Sequence, residues 1–198
     1  MATITIEPAT ADRFEDAQHA LSGGGDGASC QCAWWTITNT QWQQTTRDER
    51  KTLLEHEMAE APPPALIAYV DGEAAGWIRV GPRTRQVRLA RTKEFTGHSV
   101  EPWDDESVWA VTCFVVRREH RGEGLNSRLL HAAIEFARAH GARVIEAYPT
   151  EPIDPATGKN KPVNNLFRGI VSTFASAGFR EVARPKPDRA IVSLDLTS

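Results

Sequence analysis

An apolar run from Val108 to Val116 leads through Arg117–His120 into Arg121-Gly122-Glu123-Gly124 and directly on into an amphipathic stretch ending at His140. A run so continuously apolar predicts a strand buried on both faces, hence the centre of a sheet. The stretch Glu123 to His140 predicts a helix, with Leu125, Leu129, Ala133 and Phe136 on its inner face and Gly141 placed to cap it. The junction between the two constrains the chain most. Glycines allow close backbone approach, and the first amides of a helix lack internal partners, so a strand, glycine loop and helix in succession suit an anion such as a pyrophosphate.

Two common phosphate loops fail on spacing. No Lys follows Gly122 or Gly124 as a Walker A loop requires, and the dinucleotide fingerprint needs a third glycine where Ser127 stands. The remaining elements read in order. Ile4 to Glu7 alternates as a short strand, Ala11 to Leu21 predicts a helix ended by Ser22-Gly-Gly-Gly25, and Thr46 to Glu60 predicts a second helix, stopped by Pro62-Pro63-Pro64. Leu66–Val70 and Glu73–Val80 flank Asp71-Gly72, a hairpin signal. Arg83 to Ser107 is polar without a sustained period and reads as a long excursion between strands. After the central helix come a strand from Arg143 to Tyr148, reached by a right-handed parallel crossover, and a Pro-rich loop to Pro162. A last helix then carries Leu166, Ile170, Phe174 and Ala177, and closing strands lie at Val182 and Ile191–Leu196.

The segment Arg121-Gly122-Glu123-Gly124-Leu125-Asn126 resembles the Arg/Gln-x-x-Gly-x-Gly/Ala motif of the GCN5-related N-acetyltransferase (GNAT) superfamily, with Asn126 in place of the final Gly or Ala. The β-α-α-β-β-β-α-β-α-β order and Ala177-Gly178-Phe179 extend the resemblance over most of the chain. It implies an α/β (α+β) fold, a mixed central sheet flanked by helices, in which two central parallel strands splay apart to admit acetyl-CoA. In that arrangement the main chain of Phe114, Val115 and Val116 would pair with pantetheine, and amides of Arg121, Gly122, Glu123, Gly124, Leu125 and Asn126 would hold the pyrophosphate. The family's usual tyrosine acid and helix asparagine fall on Phe174 and Phe167, so the acid–base chemistry does not carry over.

For that chemistry the sequence offers Glu146 and Tyr148, which share one face of a strand and are the candidates for base and acid. The competing reading makes Glu146 one half of a buried ion pair with an Arg and Tyr148 core packing. Trp34, Trp35 and Trp103, three of six tryptophans, are expected around the acceptor groove, with Asp104 and Asp105 supplying charge for a cationic amine. Cys30, Cys32 and Cys113 are an odd number, unsuited to a disulfide framework. Cys30-Gln31-Cys32 lacks the spacing of a metal half-site, so no metal is expected, and Cys113 in mid-strand reads as a packed core thiol rather than a nucleophile.

A formal charge of -3 argues against a bulk nucleic-acid binder, and no apolar run reaches the roughly 20 residues of a membrane span. The expectation is one domain over residues 1–198, cytoplasmic, monomeric or homodimeric, moving acetyl from acetyl-CoA by direct attack of a small-molecule primary amine. A non-catalytic acyl-CoA-binding module and a protein N-acetyltransferase are the alternatives.

Overall fold

The computed structural model describes residues 2–197. The strands are β1 (Ile4–Pro8), β2 (Ala65–Val70), β3 (Glu73–Pro82), β4 (Val108–Val116), β5 (Val144–Ala147), β6 (Arg180–Lys186) and β7 (Arg189–Asp195). The helices are α1 (Phe14–Ser22), α2 (Gly27–Cys30), α3 (Asn39–Gln44), α4 (Arg47–Met58), α5 (Lys93–Thr96), α6 (Leu125–Ala139) and α7 (Val171–Ser176), with short 3-10 turns between them. The strands form one sheet in the order β1-β2-β3-β4-β5-β7-β6. All neighbours are antiparallel except β4 and β5.

Local chemistry explains most of these boundaries. Thr46 and Glu49 form a reciprocal capping box that starts α4, and Thr38 with Gln41 does the same for α3. At the β2–β3 turn Asp71 and Gly72 both take positive φ, 49° and 88°, the condition for a turn whose twist matches the flanking strands. Helix α6 begins at Leu125 because Gly124 is left-handed, φ 75°, and cannot itself be helical. Its Leu125, Leu129, Leu130 and Ile134 are buried against the sheet, each contributing about 1.5–3 kcal/mol by removal from water. Helices α1 and α4 cover the other face through Ala17, Leu21, Leu54 and Met58, which pack on Ile67 and Trp77.

Two sequence expectations change. The last helix is interrupted: Val163–Leu166 makes one turn, Gly169 adopts φ 82°, and α7 starts only at Val171. A Cβ on Gly169 would lie 2.7 Å from the Phe174 ring and 3.0 Å from that of Phe114, so the reversal is tightly packed. The polar segment 83–107 is the excursion between β3 and β4 that the sequence suggests, but it packs inward, with Leu89 and Phe95 buried against Trp35, Tyr148 and Ile191. Its polar residues go inside because they satisfy strand groups: Gln86 Nε2 donates to the Ala110 carbonyl at 3.1 Å and accepts from Thr112 Oγ1 at 2.6 Å.

The same segment corrects the reading of Glu146 and Tyr148. Both are sealed from solvent. Arg83 Nη1 donates to Glu146 Oε2 at 2.6 Å, Ser99 Oγ donates to Oε1 at 2.8 Å, and Tyr148 Oη donates to Oε2 at 2.9 Å. Arg83 is further held by the carbonyls of Glu101 and Pro102, and its guanidinium lies 4.1 Å from the Trp103 ring centroid. Tyr148 packs on Phe95, ring centroids 4.3 Å apart; burial, then the Glu146 charge, push its phenol well above the ordinary tyrosine range. The residues expected as base and acid therefore anchor segment 83–107 to β5. Glu146→Gln, by leaving Arg83 buried without a counter-charge, should cost about 3–5 kcal/mol in denaturant unfolding, against about 1–3 for Tyr148→Phe. A cost near zero for Glu146→Gln would remove the pair from the scaffold.

Candidate functional site

Strands β4 and β5 pair over only four positions, Val108↔Val144 to Val111↔Ala147, and then diverge. Beyond Val111 the β5-facing edge of β4 opens onto a cavity of about 840 Å³. Segments distant in sequence line it: the Gly24–Cys32 loop, Trp34 and Trp42, Cys113 to Val116, His120 to Asn126, and Val163 to Ile170.

One end is built for an anion. Among the described residues none accepts a hydrogen bond from the backbone amides of Gly122 to Asn126, and Gly124 caps α6 without any side-chain bond. These amides and the positive end of a 15-residue helix converge on the cavity. His120 Nε2 is buried there with no partner among the described residues, a polar atom that a phosphate oxygen would satisfy. A Cβ on Gly122 or Gly124 would meet nothing within 4 Å, so the space above the loop is open.

Along the splay, alternation of the ladder decides which groups are free. The Arg117 amide donates to Ala75 on β3, so Val115 also faces β3, while Phe114 and Val116 turn their groups to the gap. The expectation that all three would pair with pantetheine is corrected at Val115, whose main chain is committed to the sheet. Phe114 is partly engaged, its amide donating to the Phe167 carbonyl at 2.6 Å. Arg121 Nε donates to the Val116 carbonyl at 3.3 Å. Among the described residues none pairs with the Phe114 carbonyl or the Val116 amide.

The expected acceptor residues separate. Trp34 lines the cavity and packs edge-on against Trp42, 5.0 Å between centroids, with Arg88 over its face at 3.9 Å. Trp35 is buried beneath, its Nε1 donating to the Thr112 carbonyl at 3.2 Å. Trp103, Asp104 and Asp105 are not at the cavity. They precede the opposite end of β4, and from Val108 to Val115 the strand runs roughly 23 Å at ~3.3 Å per residue. Asp105 accepts from Ser107 and Arg143, and these bonds hold its carboxyl down at about 2. Asp104 and Asp105 therefore form the capping turn of β4, where the sequence suggested an electrostatic lure. Among the described residues Asp26 is the carboxylate that lines the cavity.

The structure also assembles what the sequence separates. Cys30, Cys32 and Cys113 are all free and all line the cavity, so Cys113 is not simply a core thiol. Cys32 Sγ accepts from Trp77 Nε1 at 3.2 Å and from the Cys113 thiol. Burial alone would raise the Cys32 pKa; the Cys113 bond, the Arg79 charge and the indole outweigh it and bring it down to about 7. Burial raises that of Cys30 to about 11, with the Cys32 charge adding to it. Gln31 and Cys32 both hold positive φ, 51° and 55°, a strained pair that turns Cys32 inward. Nothing in Cys-x-Cys spacing announces this; the signal available was only a cysteine pair beside two tryptophans. Among the described residues no group of three or more His, Cys, Asp or Glu is arranged to hold a metal ion.

The open amides carry a direct test. Gly124→Asp would place a carboxylate where an anion is to bind, on a backbone with φ 75° that strains any side chain. Coenzyme A affinity, read by calorimetry, should fall at least ~10-fold, as expected when a charge-assisted site loses about 1.5–3 kcal/mol. Unchanged affinity would move the phosphate site elsewhere.

The sequence model of the Acetyltransferase (GNAT) family matches residues 31–158. A search of curated proteins returns no match. Among solved structures, an N-acetyltransferase from Staphylococcus aureus Mu50 is 20% identical with a TM-score of 0.57, over 98% of this chain and 99% of that one. A putative acetyltransferase from Salmonella typhimurium, solved with its cofactor acetyl-CoA, is 19% identical, TM-score 0.54, over 98% and 95%. A ribosomal-protein-alanine N-acetyltransferase from Brucella melitensis is 19% identical, TM-score 0.55, over 96% and 99%. The solved structures share the mixed sheet with its flanking helices, and the family match spans well over half of the sequence, from the cysteine loop through β5: the chain belongs to the GNAT family of acetyltransferases.

Proposed function

We propose that this chain, acting as one cytoplasmic domain, moves the acetyl group of acetyl-CoA to the primary amine of a small molecule. The observation that carries the reading is the continuity of the cavity, from the open amides of Gly122 to Asn126, along Phe114 and Val116, to the cysteines and Trp34. Its volume, about 840 Å³, lies in the range of ~300–1,000 Å³ typical of small-molecule sites. Three free thiols accord with a reducing compartment.

In this reading the amides of Gly122 to Asn126 hold the pyrophosphate, that of Arg121 being taken by the Arg118 carbonyl, and the Phe114 carbonyl and Val116 amide align the pantetheine arm. The amine attacks the acetyl carbonyl of the thioester, the carbon–sulfur bond breaks as the amide forms, and coenzyme A leaves as a thiolate that takes a proton from water. With Glu146 and Tyr148 sealed away, proton handling passes to the thiols: Cys32, ionised near neutrality, takes the proton released by the amine, and Cys113, hydrogen-bonded to it, shares the charge. Phe174, in the position of the family's tyrosine, is fully buried against Phe114 and serves packing only.

Mass spectrometry of an amine panel incubated with protein and acetyl-CoA should reveal N-acetylated product. Tight acetyl-CoA binding with no product from any amine would instead identify a non-catalytic acyl-CoA-binding module. The thiolate is the base form, so kcat/KM should fall as pH drops below about 7. Cys32→Ser should lower kcat/KM by roughly 10²-fold and move the rising limb to higher pH. An identical pH profile in the variant would exclude Cys32 as the base.

A further inference from the structure

Arg168 stands in the cavity wall on the reversal between the 163–166 turn and α7. Its guanidinium carbon lies 5.0 Å from the ring centroid of Trp35 and 5.6 Å from those of Phe95 and Phe167. Aromatic rings orient a guanidinium and support its charge, yet they accept none of its hydrogen bonds. Among the described residues no carboxylate lies within ion-pair distance of Arg168 and no acceptor takes its protons. The nearby carboxylates are taken: Glu94 by Arg189 at 2.9 Å and Lys186 at 3.1 Å, Asp188 by Lys161 at 2.6 Å. With Arg168 that makes four cations against two carboxylates. Burial, with repulsion from Arg189, lowers the Arg168 pKa to about 10, the charges of Glu94 and Asp188 offsetting it only in part.

The position says which ligand would supply that anion. Trp35, beneath Arg168, donates to Thr112 of β4, and Phe167 beside it accepts from Phe114. Arg168 is thus level with the start of the splay, whereas the open amides of Gly122 to Asn126 lie past the end of β4. Phosphates held at that loop leave the Arg168 end to the acceptor.

We propose that Arg168 is a binding residue for a carboxylate on the acceptor, so that the amines this site takes are amino acids or compounds built like them. The inference rests on the acetyltransferase reading above. A planar fork of donors against aromatic walls matches the two oxygens of a carboxylate, and holding them fixes where the amine of the same molecule lies relative to Cys32 and Cys113.

Two measurements test it on the full chain. In the first, kcat/KM is compared between amino acids and their decarboxylated counterparts, phenylalanine with phenethylamine and leucine with isoamylamine. The amino acids should be preferred, and Arg168→Gln should raise their KM by ~10–100-fold, the value of a charged hydrogen-bonded contact, while leaving the simple amines and acetyl-CoA affinity unchanged. Arg168→Lys should recover part of the loss, keeping the charge without the fork. In the second, which needs no turnover, N-acetylphenylalanine is titrated calorimetrically into the coenzyme A complex. It should bind the parent and bind Arg168→Gln at least ~10-fold more weakly. Better turnover of the decarboxylated amines, equal loss for both classes in Arg168→Gln, or equal binding of N-acetylphenylalanine to parent and variant would overturn the assignment. Loss of coenzyme A affinity in Arg168→Gln would overturn it too, giving Arg168 to the donor's phosphates. Carboxylate binding that depends on Arg168, with no amine acetylated, would sink the transferase reading and leave the anion site standing.

Discussion

The early parting of β4 and β5 is the constraint on which the site depends. Unpaired amides and carbonyls on a buried strand edge are costly, and three of the groups exposed by the divergence take partners from elsewhere in the chain. Trp35 comes from the loop after α2 to cap the Thr112 carbonyl, Phe167 from the segment before α7 to cap the Phe114 amide, and Arg121 folds back to the Val116 carbonyl. The cavity is what these three visitors leave between them. Its walls are remote in sequence because the edge they repair has no local partner.

A second network keeps the gap from closing or spreading. Below the divergence, Glu146 on β5 is fixed to Arg83, Ser99 and Tyr148, tying the long connection between β3 and β4 to the strand that has turned away. A buried pair of this kind adds little to net stability compared with an apolar substitute, but half of it cannot be removed cheaply. Its place at the floor suits it to fixing geometry, and Trp35, Phe95 and Tyr148 fill the space around it.

The central strand, the glycine loop, the amphipathic helix and the Asp-Gly hairpin were legible because each is encoded in a short window, by periodicity or by turn chemistry. The loop of open amides from Gly122 to Asn126 came with them. The segment 83–107 was not legible: its buried residues include Arg83, Gln86 and Arg88, whose place inside depends on carbonyls supplied by partners far along the chain. Glu146 and Tyr148 were correctly placed on one strand face, but alternation cannot say whether that face meets a cavity or a floor. The cysteines failed for the opposite reason: Cys113 sits in an apolar run that does pack, while the divergence of β5 exposes its one flank, and the left-handed turn at Gln31 and Cys32 has no sequence signature. Arg168 lay inside what read as a continuous helix, and only the break at Gly169 brings it to the wall.

The bond between the Phe114 amide and the Phe167 carbonyl changes what the mouth of the gap can recognise. An extended ligand arriving at that point finds the donor occupied, and pairing with it exchanges one hydrogen bond for another with no gain in number. At this point the contour between Phe167, Val163 and the strand, rather than the Phe114 amide, is what is left to discriminate among ligands. The polar edge of a sheet, ordinarily an indiscriminate template for any extended chain, is here turned into a fitted aperture.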